Sequence, residues 1–183
     1  MRLKLNQTGF VANKIAKDLA NTPYVKLLKG IEAVADTAKS VIDENLKVEK
    51  ELDGKVKEII EEHYDDIEEQ LADERQLFFM IKKRLAPEFG IIMNYDDRYS
   101  DISHKILDEL YENYLIEYDV NDNKVKNVIF KAFKDFAKSY DEIDDIVYDK
   151  IKSMQKELIP GSDEYEVVYE RLFKEELIRR GLL

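Results

Sequence analysis

The sequence predicts an all-α protein made of two related helical units, with one short β pairing as its only extended structure. Three observations lead there. Apolar residues recur at spacings of three and four along two long stretches, which puts one apolar stripe on a helix of 3.6 residues per turn. Only six Gly and three Pro occur in 183 residues; that is about half the usual glycine usage and argues against α/β folds with glycine-rich ligand loops. The third is an internal match: shifted by 91 positions, residues 13–90 lie on 104–181 without a gap.

A first helix is expected from about Phe10 to Asn21, with Val11, Ile15 and Leu19 on its apolar face. Tyr24 to Leu28 is a short extended piece. The first long stripe runs from Val34 through Ala38, Val41, Ile42, Leu46, Leu52, Val56, Ile60 and Ile67 to Leu71, as one helix or two over 31–70. Gly54 weakens it by about 1 kcal/mol relative to Ala without breaking it. Residues 73–86 form a shorter helix carrying Leu77, Phe78, Met80, Ile81 and Leu85, stopped by Pro87 and Gly90.

The polar run Asn94-Tyr95-Asp96-Asp97-Arg98-Tyr99 is the expected linker, dividing an N-terminal unit, 1–93, from a C-terminal unit, 94–183. The second unit opens with a helix from Ser100 that carries Ile102, Ile106, Leu107, Leu110 and Tyr111. Leu115 to Val120 is extended, the expected partner of Tyr24 to Leu28. A second long stripe then runs from Val125 through Ile129, Phe133, Phe136, Tyr140, Ile143, Val147 and Ile151 to Leu158, again as one helix or two over 122–158. Pro160-Gly161 stops it, Ser162 or Asp163 caps a last helix, and Gly181 closes the chain's final turn.

Identical pairs at the 91-residue shift include Ile15/Ile106, Leu19/Leu110, Val34/Val125, Asp53/Asp144, Val56/Val147, Ile60/Ile151 and Gly90/Gly181. Apolar pairs such as Val25/Ile116 and Ile42/Phe133 keep the same phase. The expectation is an internal duplication. Pro160-Gly161 falls opposite Glu69-Gln70, so the first long helix is expected to turn near residues 70–73.

With 29 basic and 40 acidic side chains the net charge is −11, which disfavours a generic nucleic-acid or anionic-membrane binder. Without cysteine there is no disulfide framework, thiolate zinc site or Cys nucleophile. No run of 18 apolar residues suits a membrane span. The segment Met1 to Gln7 lacks an apolar core and cleavage site, so a cytoplasmic location is expected.

Catalytic constellations are not found. A serine triad needs a histidine base, and only His63 and His104 exist, neither near a Gly-x-Ser-x-Gly elbow. His63 falls in phase with the apolar stripe and is expected to be a partly buried helix-face residue. Glu61, Glu62, Asp65, Asp66, Glu68, Glu69, Asp73 and Glu74 surround it, and carboxylates with imidazole suit hard or borderline divalent ions. No Glu-x-x-His occurs, however, so a solvated acidic face is the plainer reading and no metal or cofactor is expected. The run Asp119 to Asn123 is similar to the start of an EF-hand loop. Lys124 stands where its glycine belongs and Phe130 where the bidentate Glu belongs, so the run is read as a turn with a helix cap.

Two features suggest partners. Leu77, Phe78, Phe79, Met80 and Ile81 are apolar around more than one helical turn, a pattern of burial on several sides or of a partner surface. Lys124, Lys126, Lys131, Lys134 and Lys138 interleave with Phe130, Phe133 and Phe136, as the outer face of an amphipathic helix or, alternatively, a nucleic-acid contact. Lys82-Lys83-Arg84 suit the negative end of their helix.

The stretches Arg75 to Lys83, Ser103 to Leu110, Leu158 to Tyr165, Tyr169 to Leu172 and Glu175 to Leu177 resemble bacterial proteins of the domain-of-unknown-function-507 family, along the whole chain. The resemblance implies a cytoplasmic bacterial helical protein and supplies neither a reaction nor catalytic residues. The expectation is therefore a non-enzymatic helical scaffold or interaction protein, with a protein partner or a second copy against its apolar groove. The alternatives are the lysine-row nucleic-acid module and a carboxylate metal-binding protein.

Overall fold

The computed structural model describes residues 3–63, 74–154, 158 and 162–180. Among them are six α-helices and two short strands: α1 Thr8–Ala20, β1 Val25–Leu27, α2 Gly30–Glu62, α3 Glu74–Leu85, α4 Tyr95–Glu112, β2 Ile116–Tyr118, α5 Asp122–Lys152 and α6 Asp163–Arg179. The protein is all-α with a small antiparallel pairing, as the sequence predicts. A single turn of 3-10 helix, Leu5–Gln7, precedes α1. No helix of the described residues is long and apolar enough to cross a membrane.

Capping chemistry fixes several of these boundaries. The Asn94 side chain accepts hydrogen bonds from the backbone N–H groups of Asp96 and Asp97 at 2.9 and 3.2 Å. Asp96 and Asp97 lie in the first turn, where the helix N-terminus favours negative charge. The polar run 94–99 is therefore not a linker; it caps and opens α4, whose Tyr99 stacks on Phe133 at 5.1 Å between ring centres. Asn121 caps α5 and Ser162 caps α6 in the same way, as expected.

Both long helices are shorter than their apolar stripes. α2 ends at Glu62 with His63 as its C-cap, and α5 ends at Lys152. The expected turn near 70–73, the stop at Pro160-Gly161 and the closing Gly181 lie outside the described residues.

The largest core is common to both halves of the chain. It takes Val11, Ile15 and Leu19 from α1, and Val34, Ala38 and Ile42 from α2. Ile102, Ile106 and Leu110 of α4 join it, with Val125, Ile129, Phe133 and Phe136 of α5. α1 packs on α2 and also on α5, while α4 packs on α5 and also on α2. Two smaller clusters sit further along the long helices. Leu52, Val56 and Ile60 of α2 meet α3, and Ile143, Val147 and Ile151 of α5 meet α6.

Positions 91 apart play matching roles. β1 at 25–27 and β2 at 116–118 coincide at that shift, and α2 and α5 begin and end within one residue of it. The strands pair antiparallel with Lys26 opposite Glu117, Val25 opposite Tyr118 and Leu27 opposite Ile116. Lys26 and Glu117 are themselves 91 residues apart, so exchanging the halves returns the same pairing.

Gly54 lies inside α2, and a Cβ built on it meets nothing within 4 Å. Glycine here costs backbone entropy and gains no space. Gly54→Ala is expected to stabilise the protein by about 0.5–1 kcal/mol, measured by urea unfolding.

Candidate functional site

A helix turns 100° per residue, and in α3 this separates the run 77–81 into two faces. Leu77, Phe78 and Ile81 pack toward Leu52, Val56 and Ile60 of α2. Phe79 and Met80 point away and are 63% and 69% exposed. Beside them lies a groove of about 470 Å³, lined by Lys57, Ile60, Glu61, Arg75, Phe78 and Phe79. Arg75, Lys83 and Arg84 are exposed on the same helix, so two large apolar side chains stand amid three cations. Phe79 and Met80 thus sit side by side in the open next to this groove. The corresponding positions of α6, 91 residues on, are Glu170 and Arg171, also exposed. The α3 packing frame does not require apolar residues there.

The lysine row is less open than its spacing suggests. Lys134 donates to both carboxylate oxygens of Asp96 at 2.7 and 2.8 Å. Lys126 donates to Ser100 Oγ at 3.3 Å and lies 5.6 Å from the Phe130 ring centre. Lys124 lies 5.4 Å over the Tyr24 ring. Lys131 and Lys138 are exposed, while Phe133 and Phe136 are buried in the core.

His63 is exposed, contrary to the partly buried position its phase suggests. α2 ends at that point, and the ring Nδ1 lies 2.9 Å from the Ile59 carbonyl oxygen. His104 is exposed on α4. Among the described residues no three His, Asp or Glu side chains gather as metal ligands. Most of the acidic run, residues 64–73, lies outside the described residues.

A buried ionic cluster was not anticipated. Glu49 of α2 meets Lys82 of α3 at 2.8 Å and Arg98 of α4 at 2.8 Å. Lys82 also meets Asp53 at 2.6 Å, and Arg98 Nε donates to Asn45 Oδ1 at 2.7 Å. Glu49, Lys82 and Arg98 are all buried. Lys82 lies in the last turn of α3 with Lys83 and Arg84, as expected, but unlike them it is buried in the core. The sequence did hold a signal: Asn45, Glu49 and Asp53 recur every four residues on the apolar side of α2, and Lys82 falls among Phe78, Ile81 and Leu85.

The positions 91 residues away hold a different solution. Phe136 and Tyr140 replace Asn45 and Glu49, Asp144 repeats Asp53, Phe173 replaces Lys82, and Gln7 stands in place of Arg98. Tyr140 packs on Phe173 with ring centres 4.4 Å apart, and the Tyr169 hydroxyl donates to Asp144. At these positions one half uses ions and the other rings, although α6 has a buried carboxylate of its own, Glu176, which meets Lys150 of α5.

Burial raises the Glu49 carboxyl, but the Lys82 hydrogen bond and the Arg98 charge outweigh it and hold the group below the usual glutamate range. Since its value is lowered in the fold, the stability it contributes is present above the unfolded glutamate value of about 4.3 and lost as pH falls below it. Removing one partner of a buried pair leaves uncompensated charge. Glu49→Gln is expected to cost about 3–5 kcal/mol at pH 7 by urea unfolding. The gap to the parent protein narrows as the pH is lowered toward 3.

No curated protein matches this sequence. The family described as "Protein of unknown function (DUF507)" matches residues 1–182, essentially the whole chain, and the protein belongs to that family.

Proposed function

We propose that the protein is a non-enzymatic helical interaction protein whose α3 face docks a protein partner, a second copy being the simplest. The observation that carries this reading is the pair Phe79 and Met80, both mostly exposed beside an apolar groove. Leaving two such side chains in water forgoes about 1.5–3 kcal/mol each in burial, and a bound partner recovers it. The charged residues at the matching α6 positions support the same reading, because they keep that packing frame without exposed rings or thioethers. Nucleic-acid contact through Lys124 to Lys138 has less support, since Lys134 is engaged by Asp96 and Lys126 by Ser100. We also propose that the two halves descend from one duplicated unit, on the strength of the matching strands, helix ends and pairing.

Phe79→Ser with Met80→Ser changes only exposed side chains and is expected to leave unfolding unaltered. Light scattering at high micromolar concentration tests the second-copy form: the parent protein associates and the variant stays monomeric. The wider reading is tested by oxidation of Met80, which is open to peroxide in the isolated monomer and shielded under a partner. A monomeric parent whose Met80 oxidises equally fast in purified form and in native lysate overturns the α3 docking face.

A further inference from the structure

A second concave surface, far from α3 in sequence, lies where α4 passes into β2. It has a volume of about 670 Å³ and is lined by Leu28, Tyr111, Glu112, Tyr114, Ile116, Glu117 and Tyr118. Ile116 is the buried floor; Tyr111 and Tyr114 are 58% and 75% exposed. Tyr111 and Tyr118 have ring centres 5.6 Å apart and tilted by 53°. Three phenol rings and two carboxylates therefore line one open groove.

Its composition is not required by the fold. At the positions 91 residues earlier stand Ala20 for Tyr111, Asn21 for Glu112, Pro23 for Tyr114, Lys26 for Glu117 and Leu27 for Tyr118. Those five positions on the β1 side of the same two-stranded frame thus have neither the rings nor the negative charge. Tyr114 also has an unfavourable backbone. It follows the α4 C-cap Asn113 with φ of 54°, where glycine is the usual residue. The turn is closed by Leu115 N–H donating to the Leu110 carbonyl at 2.9 Å. A bulky side chain in the left-handed region costs roughly 1 kcal/mol, which the turn bears here at an exposed ring.

The electrostatics favour a cation. Glu112 and Glu117 lie on the rim, and the Tyr118 hydroxyl donates to Asp122 at 3.0 Å. Burial, this hydrogen bond and the negative charges of Asp122 and Asp108 push the hydroxyl up to about 12. Two lysines are close. Lys26 meets Glu117 at 3.7 Å with both side chains well exposed, and Lys29 donates to the Asn113 carbonyl at 3.0 Å. An exposed pair of that length is worth little, so an incoming guanidinium displaces Lys26 at small cost.

We propose that this groove binds an arginine-bearing peptide segment of a partner protein, whose guanidinium lies against the tyrosine faces and is held by Glu112 and Glu117. Aromatic rings and carboxylates together recognise organic cations, and arginine adds a planar surface that stacks on rings and pairs with carboxylates. This site is separate from the α3 face and stands whether or not that face docks a partner.

Calorimetric titration of the full chain with a short arginine-containing peptide tests the site, with the same peptide carrying glutamine for arginine as control. Binding is expected for the arginine peptide alone. Tyr111→Ala is expected to weaken it about tenfold, as loss of a cation–ring contact implies, and Glu112→Gln to weaken it too. Neither alters a buried residue, and a shallow attraction to the −11 chain as a whole would be nearly unchanged by the tyrosine substitution. Tyr114→Gly separates structure from binding: it is expected to keep or raise the melting temperature while weakening the peptide. Tight binding of tetramethylammonium alone, equal binding of the glutamine peptide, undiminished binding by Tyr111→Ala, or no binding at 50 mM salt overturns the proposal.

Discussion

Burial of α1 and α4 against both long helices is the contact on which the rest depends. Neither α2 nor α5 is covered by the short helix of its own half alone. Ile15 and Leu19 on one side, and Ile106 and Leu110 on the other, fill a single interior with Ile42, Phe133 and Phe136. Each fully buried side chain of this kind contributes about 1.5–3 kcal/mol, so the shared interior far outweighs the three-residue strand pairing. The two halves are thereby obliged to fold together. α3 and α6, attached at the C-terminal parts of the long helices, have smaller clusters of their own.

That division explains where the halves differ. In the shared interior the matching positions stay apolar, as with Ile15 and Ile106, because both are fully buried in the one core that the two halves share. At the α2–α3–α4 junction, Glu49, Lys82 and Arg98 form an ionic cluster, whereas Tyr140, Phe173 and Tyr169 form an aromatic one at the matching junction. A buried ion pair is not a cheap source of stability, since desolvation offsets most of its attraction. Its effect is directional: Glu49 can satisfy Lys82 and Arg98 only when three helices hold their places. On the outer surfaces the halves diverge further, with Phe79 and Met80 against Glu170 and Arg171, and Tyr111 and Tyr114 against Ala20 and Pro23.

Much of this was legible in the sequence. Spacing of three and four, with the breakers and caps, located the six α-helices among the described residues, and the extended pieces around Val25 and Ile116 pair as expected. The run 94–99 misled because capping residues share their composition with linkers: Asn, Asp and Tyr read as a loop until Asn94 is seen to hold the first turn of α4. His63 misled for a related reason. Periodicity continues past Glu62, but the packed helix does not. The ionic cluster was hidden because a charge in an apolar phase gains its meaning from partners on other helices, and Arg98 is 49 residues from Glu49. The tyrosine groove escaped notice because Tyr111, Tyr114 and Tyr118 converge only through a turn in which Tyr114 adopts a left-handed backbone.

The central claim is that the two halves fold as one body around α1 and α4. Native-state hydrogen exchange tests it most directly, because amides in the core elements report the free energy of the opening that exposes them. The account predicts one common, highest protection for α1, the first half of α2, α4 and the first half of α5, with lower values for α3 and α6. Two distinct plateaus, one for residues of α1 and α2 and another for α4 and α5, would contradict it.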